Sequence, residues 1–437
     1  MEGFAMDTAP YASSAVNEPE LSYVGSPGCG RFVQSQAADP IVGVVLAGGQ
    51  GSRLAPLTMD QAKPAVPFGP QHRIIDFALS NLFNSGLGPI HVLVQHNASS
   101  ITDHLRLAWQ PLMRRGALKT VQPRGRVFKG TADAVRQSID ALGLERGGVV
   151  VVFGADHVYR MDVNQMIEFH RAHAADVTVA ALPVARTEAR AFGVIGCDRD
   201  GRIASFLEKP DDPPGMPDEP SKALASMGNY VFNADCLLRA LREPAGREEP
   251  DFGHDVLPRL LRQGSRVYAY DFASNRVPGT PPYEQLAYWR DVGTVDAYFN
   301  ANLDTLGAQP VFDLSNPHWP IRMAARSWPP ARLVRSSLGN SHVGAGALIR
   351  GAAIRDSIIR RAAIVQDGAE LEQCVVMDHG HIGKGARLRR TIVDCNAVVP
   401  PHARIGFDPE YDARYWTVTP EGITVVGHTA CAAATTA

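Results

Sequence analysis

The strongest constraint on the fold is a six-residue repeat in the last third of the chain, where aliphatic side chains recur six residues apart in several runs, with breaks in phase that we interpret as turns of altered length. The repeat joins Val343 to Ile349, Ile359 to Val365 and Leu371, Val376 to Ile382 and Leu388, and Ile392 to Val398. Glycines punctuate the same stretch: Gly344, Gly346, Gly368, Gly383 and Gly385. A unit of six residues cannot bury its aliphatic side chain alone, so successive units must stack. The repeat predicts a β-helix of hexapeptide turns, with an ordinary β-rich domain as the alternative.

A different pattern precedes the repeat. Apolar runs typical of central parallel strands occupy residues 41–46, 91–94, 149–153 and 177–182. Between the first two runs, apolar residues recur at helical spacing over residues 74–83. Strands that alternate with helices predict an α/β, Rossmann-like domain with a mostly parallel sheet.

These sequence patterns divide the chain into five parts. Residues 1–39 are rich in Ala, Ser, Gly and Pro without a clear period and are predicted to be a flexible tail. The α/β domain is predicted over residues 40–305, and the proline-rich residues 306–330 are interpreted as a linker. The β-helix is predicted over residues 331–427, and residues 428–437 form a C-terminal tail.

Composition excludes several classes of protein. The chain has 437 residues and a formal net charge of -2, so no bulk basic field attracts nucleic acid or an anionic membrane. No apolar run reaches the roughly 18 residues that a membrane span needs. The N-terminus lacks a signal-peptide pattern, and the six scattered cysteines form no C-x-x-C pair. We therefore expect a protein of the reducing cytoplasm.

A glycine-rich turn directly follows the first apolar run. It contains Gly48, Gly49 and Gly51, which allow backbone N–H groups to approach a phosphate, and Arg53 adds a fixed positive charge. The spacing is not that of the dinucleotide pattern G-x-G-x-x-G. Lys63 follows within the sequence Ala-Lys-Pro-Ala. Together these features predict a binding site for a phosphorylated nucleotide.

The same two segments resemble the signature of the sugar-nucleotide pyrophosphorylases. Further motifs are similar to those of the bacterial glucose-1-phosphate adenylyltransferases (ADP-glucose pyrophosphorylases), the actinobacterial members in particular: residues 73–77, 130–134, 154–159, 206–210, 225–230 and 288–294. The resemblance runs in order from about residue 41 to about residue 427. It implies a nucleotidyltransferase domain followed by a left-handed β-helix.

The resemblance also implies an activity. ATP and α-D-glucose 1-phosphate would give ADP-glucose and diphosphate, for the synthesis of glycogen or a related α-glucan. The implied cofactor is Mg²⁺, the implied assembly is a homotetramer, and anionic metabolites are the implied effectors. Transfer at the α-phosphorus needs positioning and charge neutralisation more than a protein nucleophile. Two carboxylates can hold Mg²⁺ for this purpose.

Family motifs give each candidate residue a role. Asp156 and Asp291 would hold the metal, and Arg53, Lys63 and Asp156 would be catalytic. The predicted nucleotide-binding residues are Leu46, Ala47, Gly48, Gly49, Gly51, Gln95 and Gly130. The predicted glucose 1-phosphate-binding residues are Phe128, Gly193, Glu208, Lys209 and Ser226. The histidines, including His157, His379 and His381, show no supported metal-ligand spacing, and we interpret them as structural.

The chain departs from the family pattern in two places. Residues 121–129 are shorter than the family segment, and Phe128 stands where the family has a tyrosine that contacts glucose 1-phosphate. The cations of the enterobacterial effector site are replaced by Asp60, Gln61, Pro67 and Cys395, whereas Arg73 is kept as a tentative allosteric residue. We therefore expect little activation by fructose 1,6-bisphosphate, and an altered site around Arg73 with Arg389 or Arg390 nearby.

Three other functions agree with the sequence less well. The enzyme could use another nucleoside triphosphate or another hexose phosphate. It could be a non-catalytic regulatory subunit, although such subunits tend to lose the charged catalytic residues. This chain keeps all five: Arg53, Lys63, Asp156, Lys209 and Asp291. It could be a hexapeptide-repeat acyltransferase, for which His379 and His381 are the only candidate catalytic histidines.

Overall fold

The computed structural model describes residues 40–144, 147–242, 250–323 and 328–427. The two predicted tails, 1–39 and 428–437, lie outside the described residues. Within the described residues, no helix combines the length and the apolar character needed to cross a membrane.

The first part of the chain alternates strands and helices, as predicted. Its strands are β1 (Ile41–Ala47), β2 (Pro67–Phe68), β3 (His72–Arg73), β4 (Ile90–Val94), β5 (Leu118–Val121), β6 (Val149–Gly154), β7 (His157–Tyr159), β8 (Val177–Ala185), β9 (Gly193–Cys197), β10 (Ile203–Glu208), β11 (Lys222–Asn233), β12 (Val267–Asp271) and β13 (Trp289–Asp291). Its helices are α1 (Ile75–Asn84), α2 (Ala98–Ala108), α3 (Gln110–Arg114), α4 (Thr131–Leu142), α5 (Val163–Ala172), α6 (Ala234–Arg242), α7 (Leu257–Arg262) and α8 (Val295–Leu303).

A nine-stranded sheet organises this α/β domain. Four adjacent strands, in the order β5-β4-β1-β6, are mutually parallel. Strand β11 pairs antiparallel with β6 and continues the sheet toward β9, β10 and β8, and β12 pairs with β8. Side chains from both faces are buried, since Val45 and Val151 belong to one hydrophobic cluster and Val44 and Val152 to another. Burial on both faces explains the continuous apolar runs in the sequence.

Helix α4 is flanked by two glycines, each of which the local structure explains. Gly130 precedes it in extended conformation, and the N–H groups of Ala132 and Asp133 both donate to the carbonyl oxygen of Pro250, at 2.8 and 3.0 Å. A Cβ on Gly130 would lie 2.5 Å from that oxygen, so the close approach requires glycine. The helix ends at Leu142, and Gly143 follows in the left-handed conformation typical of a helix C-terminus.

The second part is a parallel β-helix, as the six-residue repeat predicts. Its strands are β14 (Arg332–Val334), β15 (Ser337–Gly339), β16 (His342–Val343), β17 (Leu348–Arg350), β18 (Ala353–Arg355), β19 (Ile358–Ile359), β20 (Ile364–Val365), β21 (Glu370–Val376), β22 (His381–Ile382), β23 (Arg387–Val393), β24 (Val398–Val399), β25 (Arg404–Ile405), β26 (Thr417–Val418) and β27 (Thr424–Val426), with α9 (Pro409–Asp412) between β25 and β26. On one side of the β-helix, the successive partners are Arg332, Leu348, Ile364, His381 and Val398, so one rung takes 16 or 17 residues.

Short turns explain one error in the predicted phase. A rung of 16 or 17 residues is shorter than three full hexapeptides, so the six-residue spacing slips between rungs. Ile349, Val365 and Ile382 are buried as predicted, but Val398 is 44% exposed and Val399 occupies the core instead.

The two parts share a hydrophobic cluster. Phe68 and Tyr298 from the α/β domain belong to the same cluster as Met377 and Ile392 from the β-helix. Arg360 of the β-helix is fully buried and donates to the carbonyl oxygens of Phe68, at 2.8 Å, and Gly69. The β-helix therefore directly supports the segment that follows Lys63.

Candidate active site

The carboxyl ends of three parallel strands meet at one edge of the sheet. The register pairs Leu46 of β1 with Gly154 of β6, and Ala47 of β1 with Val94 of β4. The glycine turn, Gln95 and Asp156 each follow one of these strands, so the fold brings them to a common edge, where α/β sheets bind ligands.

The glycine turn packs closely against Lys63. Gly51 has a positive φ of 67°, and a Cβ added there would lie 2.8 Å from the Cβ of Lys63. Both the conformation and the contact therefore require glycine. The hydroxyl of Thr58 donates to the Gly51 carbonyl oxygen at 2.9 Å, and a 3₁₀ turn over Ser52–Leu54 follows with Arg53 exposed.

A two-stranded antiparallel sheet brings the two predicted metal-binding carboxylates together. Strand β13 pairs with β7, so that Asp291 lies opposite His157, the neighbour of Asp156. The ammonium of Lys63 lies between the carboxylates, 2.9 Å from Oδ2 of Asp156 and 3.0 Å from Oδ1 of Asp291. This arrangement joins residues separated by more than 200 positions in the sequence.

The charges of this cluster stabilise one another. Burial acts to raise the pKa of the Asp156 carboxyl, but the nearby Lys63 ammonium and His157 outweigh it and hold that pKa well below its ordinary value. Burial acts to lower the pKa of Lys63, but Asp156 and Asp291 raise it above its ordinary value. Lys63 is therefore a cation and Asp156 an anion over the whole physiological pH range.

His157, which is interpreted as structural from the sequence, lies in this cluster. One donor atom each of Asp156, His157 and Asp291 lies within 4.8 Å of the others. Sequence spacing did not show this because the second carboxylate comes from a distant strand. The adjacency of His157 to Asp156 was the only local signal.

The predicted sugar-side residues lie on three adjacent strands. Glu208 of β10 pairs with Gly193 of β9, and β9 in turn pairs with β11 next to Ser226. The β11 ladder is interrupted after Ser226, whose hydroxyl accepts a hydrogen bond from the N–H of Gly228 at 3.2 Å. A Cβ at Gly193 would lie 2.4 Å from the Phe206 ring, so only glycine fits there.

Lys209 follows in an unusual backbone conformation. Its φ is +46°, which side-chain-bearing residues adopt rarely, and such conformations are concentrated at functional sites. The side chain is 61% exposed, and its Nζ lies 3.3 Å from Oε1 of Glu208. The ammonium is therefore accessible to an anionic ligand.

Gln95 and Phe128 are in contact. The amide nitrogen of Gln95 donates to the carbonyl oxygen of Phe128 at 3.2 Å, and the Phe128 N–H donates back to the Gln95 carbonyl oxygen. The Phe128 ring is buried in the hydrophobic cluster that includes Val135. Gln95 therefore holds the backbone of the short 121–129 segment.

These residues line one cleft of about 570 Å³. The predicted residues on its wall are Leu46, Ala47, Gly48, Gly49, Gly51, Arg53, Lys63, Gln95, Phe128, Gly130, Asp156, Gly193, Glu208, Lys209, Ser226 and Asp291. Residues not predicted from sequence also line it, among them His96, Thr131, His157, Tyr230 and Asp251. Asp251 accepts a hydrogen bond from the Thr131 hydroxyl at 2.9 Å, a contact across 120 residues that local patterns cannot indicate.

Arg73 does not line this cleft. Its guanidinium donates to Gln61 at 3.2 Å and to the carbonyl oxygen of Ala65. Burial lowers its pKa, the carboxylate of Asp378 in the β-helix acts to raise it, and Arg360 and Arg361 of the β-helix lower it further. The sequence predicts Arg389 or Arg390 near Arg73 and does not indicate Arg360 or Arg361.

Comparison with known proteins agrees with this geometry. A family model described as nucleotidyl transferase matches residues 42–307, and one described as GlmU-like, C-terminal hexapeptide matches residues 329–426. A Frankia casuarinae protein named glucose-1-phosphate adenylyltransferase is 47% identical over 402 residues, which cover 89% of this chain and 97% of the relative. The chain belongs to the glucose-1-phosphate adenylyltransferase family. The family, the fold class and the enzyme class predicted from the motifs are thereby confirmed.

Two further relatives have the same name. Proteins of the same name from Thermodesulfovibrio yellowstonii and Corynebacterium diphtheriae are each 45% identical, over 392 and 405 residues. The matched segments cover 88% and 91% of this chain, and 95% and 94% of the relatives. The similarity therefore includes both the α/β domain and the β-helix.

Nucleotidyltransferases of this family generally use a divalent metal ion. The donor set at Asp156 and Asp291 fits such an ion, because two carboxylates converge on a position where the protein already holds a cationic ammonium. Asp156 remains 39% exposed, so the cluster is open to the cleft.

Proposed function

We propose that this chain transfers the adenylyl group of ATP to α-D-glucose 1-phosphate, forming ADP-glucose and diphosphate for the synthesis of glycogen or a related α-glucan. The observation that carries the proposal is the cleft itself. A glycine turn with Arg53 and Lys63, a carboxylate pair, and the Glu208–Lys209 corner line the same cavity. The names of the relatives supply the substrates.

Each group in the cleft has a role in this chemistry. The N–H groups of the glycine turn, with Arg53 and Lys63, bind the triphosphate and neutralise the leaving diphosphate. Lys209 binds the phosphate of the sugar, and Glu208, Gly193 and Ser226 contact its hydroxyl groups. The attacking oxygen comes from glucose 1-phosphate, so the protein supplies position and charge rather than a nucleophile.

Mg²⁺ is the proposed cation, held by Asp156 and Asp291. When bound, it neutralises phosphate charge and favours attack at the α-phosphorus. Carboxylate oxygens are the protein ligands that Mg²⁺ prefers. Lys63 must give up its position between the two carboxylates, which leaves its ammonium free for phosphate.

We further propose a cytoplasmic homotetramer with anionic metabolite effectors. The effector site would include Arg73, on whose pKa Asp378, Arg360 and Arg361 of the β-helix also act. We expect weak activation by fructose 1,6-bisphosphate because Asp60, Gln61 and Pro67 replace cationic or imidazole side chains. Titration of the bisphosphate against glucose 6-phosphate and fructose 6-phosphate, at subsaturating ATP, tests this. Strong activation by the bisphosphate that is lost in Arg73→Ala would contradict it.

The catalytic proposal is tested by measuring diphosphate release across ATP, UTP and dTTP, each with glucose 1-phosphate and other hexose phosphates. We expect the fastest release with ATP and glucose 1-phosphate, and only with a divalent cation. Preference for UTP or dTTP would retain the family and reject the adenylyl assignment. No turnover with any pair, from a folded protein, would favour a non-catalytic subunit.

The metal assignment has its own variant. Asp156→Asn keeps the size of the side chain but removes the charge, and we expect turnover to fall by roughly 10²–10³ or more. Asp200→Asn, in an exposed turn that does not line the cleft, is the matched control and should retain activity. Near-normal turnover of Asp156→Asn with an unchanged circular dichroism spectrum would show that Asp156 does not hold the metal.

A further inference from the structure

His157 faces the carboxylate pair but has no role in the chemistry described so far. Its Nε2 lies 3.7 Å from Oδ1 of Asp156 and 3.9 Å from Oδ1 of Asp291, beyond hydrogen-bond distance. Its Nδ1 is buried, and no hydrogen-bond partner for it exists among the described residues. An imidazole that is close to two carboxylates without a hydrogen bond to either needs another explanation.

The ring is held in place by its surroundings. His157 begins strand β7 and pairs directly with Asp291 of β13. Its ring packs against Trp289, with 4.9 Å between the ring centroids, and the side chain is only 13% exposed. The direction of Nε2 is therefore fixed by the same strand pair that brings the carboxylates together.

The position between the carboxylates favours a cation, because the Lys63 ammonium occupies it at 2.9 and 3.0 Å. A ring nitrogen beside that position can offer a lone pair to a metal ion without adding a third carboxylate. Carboxylate oxygens bind both Mg²⁺ and Mn²⁺, whereas an imidazole nitrogen binds a transition-metal ion such as Mn²⁺ more strongly than it binds Mg²⁺. An imidazole at this place therefore affects which cation binds most tightly.

We propose that Nε2 of His157 is a third protein ligand of the divalent cation held by Asp156 and Asp291, and that it raises the affinity of the site for Mn²⁺ relative to Mg²⁺. The inference rests on the proposed metal site and deepens it. It assigns His157 a role in the choice of metal ion, which the two carboxylates alone do not provide.

Pulsed electron paramagnetic resonance of Mn²⁺ bound to the full chain, with a non-hydrolysable ATP analogue, tests direct coordination. Protein with ¹⁵N-labelled histidine should show a ¹⁵N coupling typical of a bound imidazole, and unlabelled protein the corresponding ¹⁴N coupling. The coupling should disappear in His157→Leu, which keeps an apolar side chain against Trp289. It should remain in His96→Leu, the matched control, since His96 also lines the cleft. Bound Mn²⁺ without histidine coupling in the wild type would overturn the proposal.

Calorimetric titration of Mn²⁺ and Mg²⁺ tests the consequence for selectivity. We expect His157→Leu to lose roughly tenfold or more in Mn²⁺ affinity and about threefold or less in Mg²⁺ affinity. His157→Ala provides a second variant if the leucine disturbs folding, and melting temperatures show which variants are folded. An equal loss for both ions would show that His157 acts on the site only through structure, and would reject the proposal.

The resonance and calorimetric measurements test the coordination by His157 separately from the catalytic proposal, because neither measurement requires turnover. Imidazole coupling in a protein that makes no ADP-glucose would reject the catalytic proposal and keep His157 as a ligand. Turnover of ATP and glucose 1-phosphate by a protein without the coupling would keep the catalytic proposal and reject His157 as a ligand. Mn²⁺ affinity that is unchanged in Asp156→Asn would place the cation elsewhere and reject the coordination by His157 as well.

Discussion

The Nζ atom of Lys63 lies 2.9 Å from Oδ2 of Asp156, although the two residues belong to different loops at the sheet edge. The same ammonium is 3.0 Å from Oδ1 of Asp291. Lys63 therefore holds together two carboxylates that would otherwise repel each other. It also competes with any divalent cation for the same oxygens, so metal binding and release of the Lys63 side chain are linked.

Removal of the Lys63 charge should have opposite effects on metal binding and on turnover. We expect Lys63→Met to bind Mn²⁺ more tightly, by on the order of tenfold, because the competing ammonium is gone. Turnover should fall by roughly 10²–10³, because a cation that neutralises phosphate charge is lost. Calorimetry and diphosphate release measure the two effects. Weaker Mn²⁺ binding by a folded Lys63→Met protein would contradict the competition.

Lys209 should affect one substrate more than the other. A charge-assisted hydrogen bond to phosphate contributes about 1.5–3 kcal/mol, so Lys209→Ala should raise the KM for glucose 1-phosphate on the order of 10–150-fold. The KM for ATP should change far less. Lys222→Ala is the control, since Lys222 is also partly exposed and paired with a glutamate, Glu219, at 3.0 Å. Equal changes for both substrates would indicate a general defect in Lys209→Ala.

Arg360 should contribute far more to stability than an exposed arginine of the same β-helix. Its guanidinium is fully buried and lies 2.9 Å from Oδ1 of Asp378. Arg360→Met removes this ion pair, leaving Arg361 as the remaining partner of the buried carboxylate, and it also removes the donor to the carbonyl oxygens of Phe68 and Gly69. We expect a loss of about 3–5 kcal/mol in the free energy of unfolding. Arg355 is 65% exposed and lies 2.8 Å from Glu372. Arg355→Met should therefore lower the free energy of unfolding by less than about 1 kcal/mol. Urea denaturation of the two variants compares them directly, and similar losses would contradict the argument.

Two buried histidines should make the protein less stable in acid. Burial lowers the pKa of His72 and of His170 to about 4, below the value of about 6.5 in an unfolded chain. The unfolded state therefore takes up protons first as the pH falls from 6.5 to 4, and stability falls over that window by up to about 3 kcal/mol per histidine. It levels off below pH 4 for these groups.

The variant His170→Asn removes one of these two protonation sites. In the wild type the Thr178 hydroxyl lies 2.9 Å from Nδ1 of His170, and the asparagine amide can still form a hydrogen bond to that hydroxyl. Its melting temperature should depend less steeply on pH between 6.5 and 4 than that of the wild type. His254→Asn is the control, because His254 is exposed and the carboxylate of Asp255 raises its pKa. An unchanged pH profile in His170→Asn would show that this histidine is not held neutral.

Much of the fold could be predicted because its signals are local. The six-residue spacing around Ile349 and Val365 indicates stacking turns, and burial on both faces of β1 and β6 produces continuous apolar runs. The glycine turn and Lys63 were likewise visible as short motifs. Where the spacing changed by one residue, the repeat predicted that Val398 is buried, but Val399 is the buried residue in the structure. The length of each turn is set by packing against the neighbouring rungs.

The sequence indicated the glycine turn, Lys63, Asp156 and the Glu208–Lys209 pair, because each lies at the end of a strand or in a turn that its own neighbours specify. The tertiary structure decided how they combine. The pairing of β13 with β7 places Asp291 beside His157, and the buried Arg360 joins the β-helix to the backbone at Phe68. These contacts connect residues more than 100 positions apart, and their energies depend on burial and on the direction of side chains, which no local pattern records.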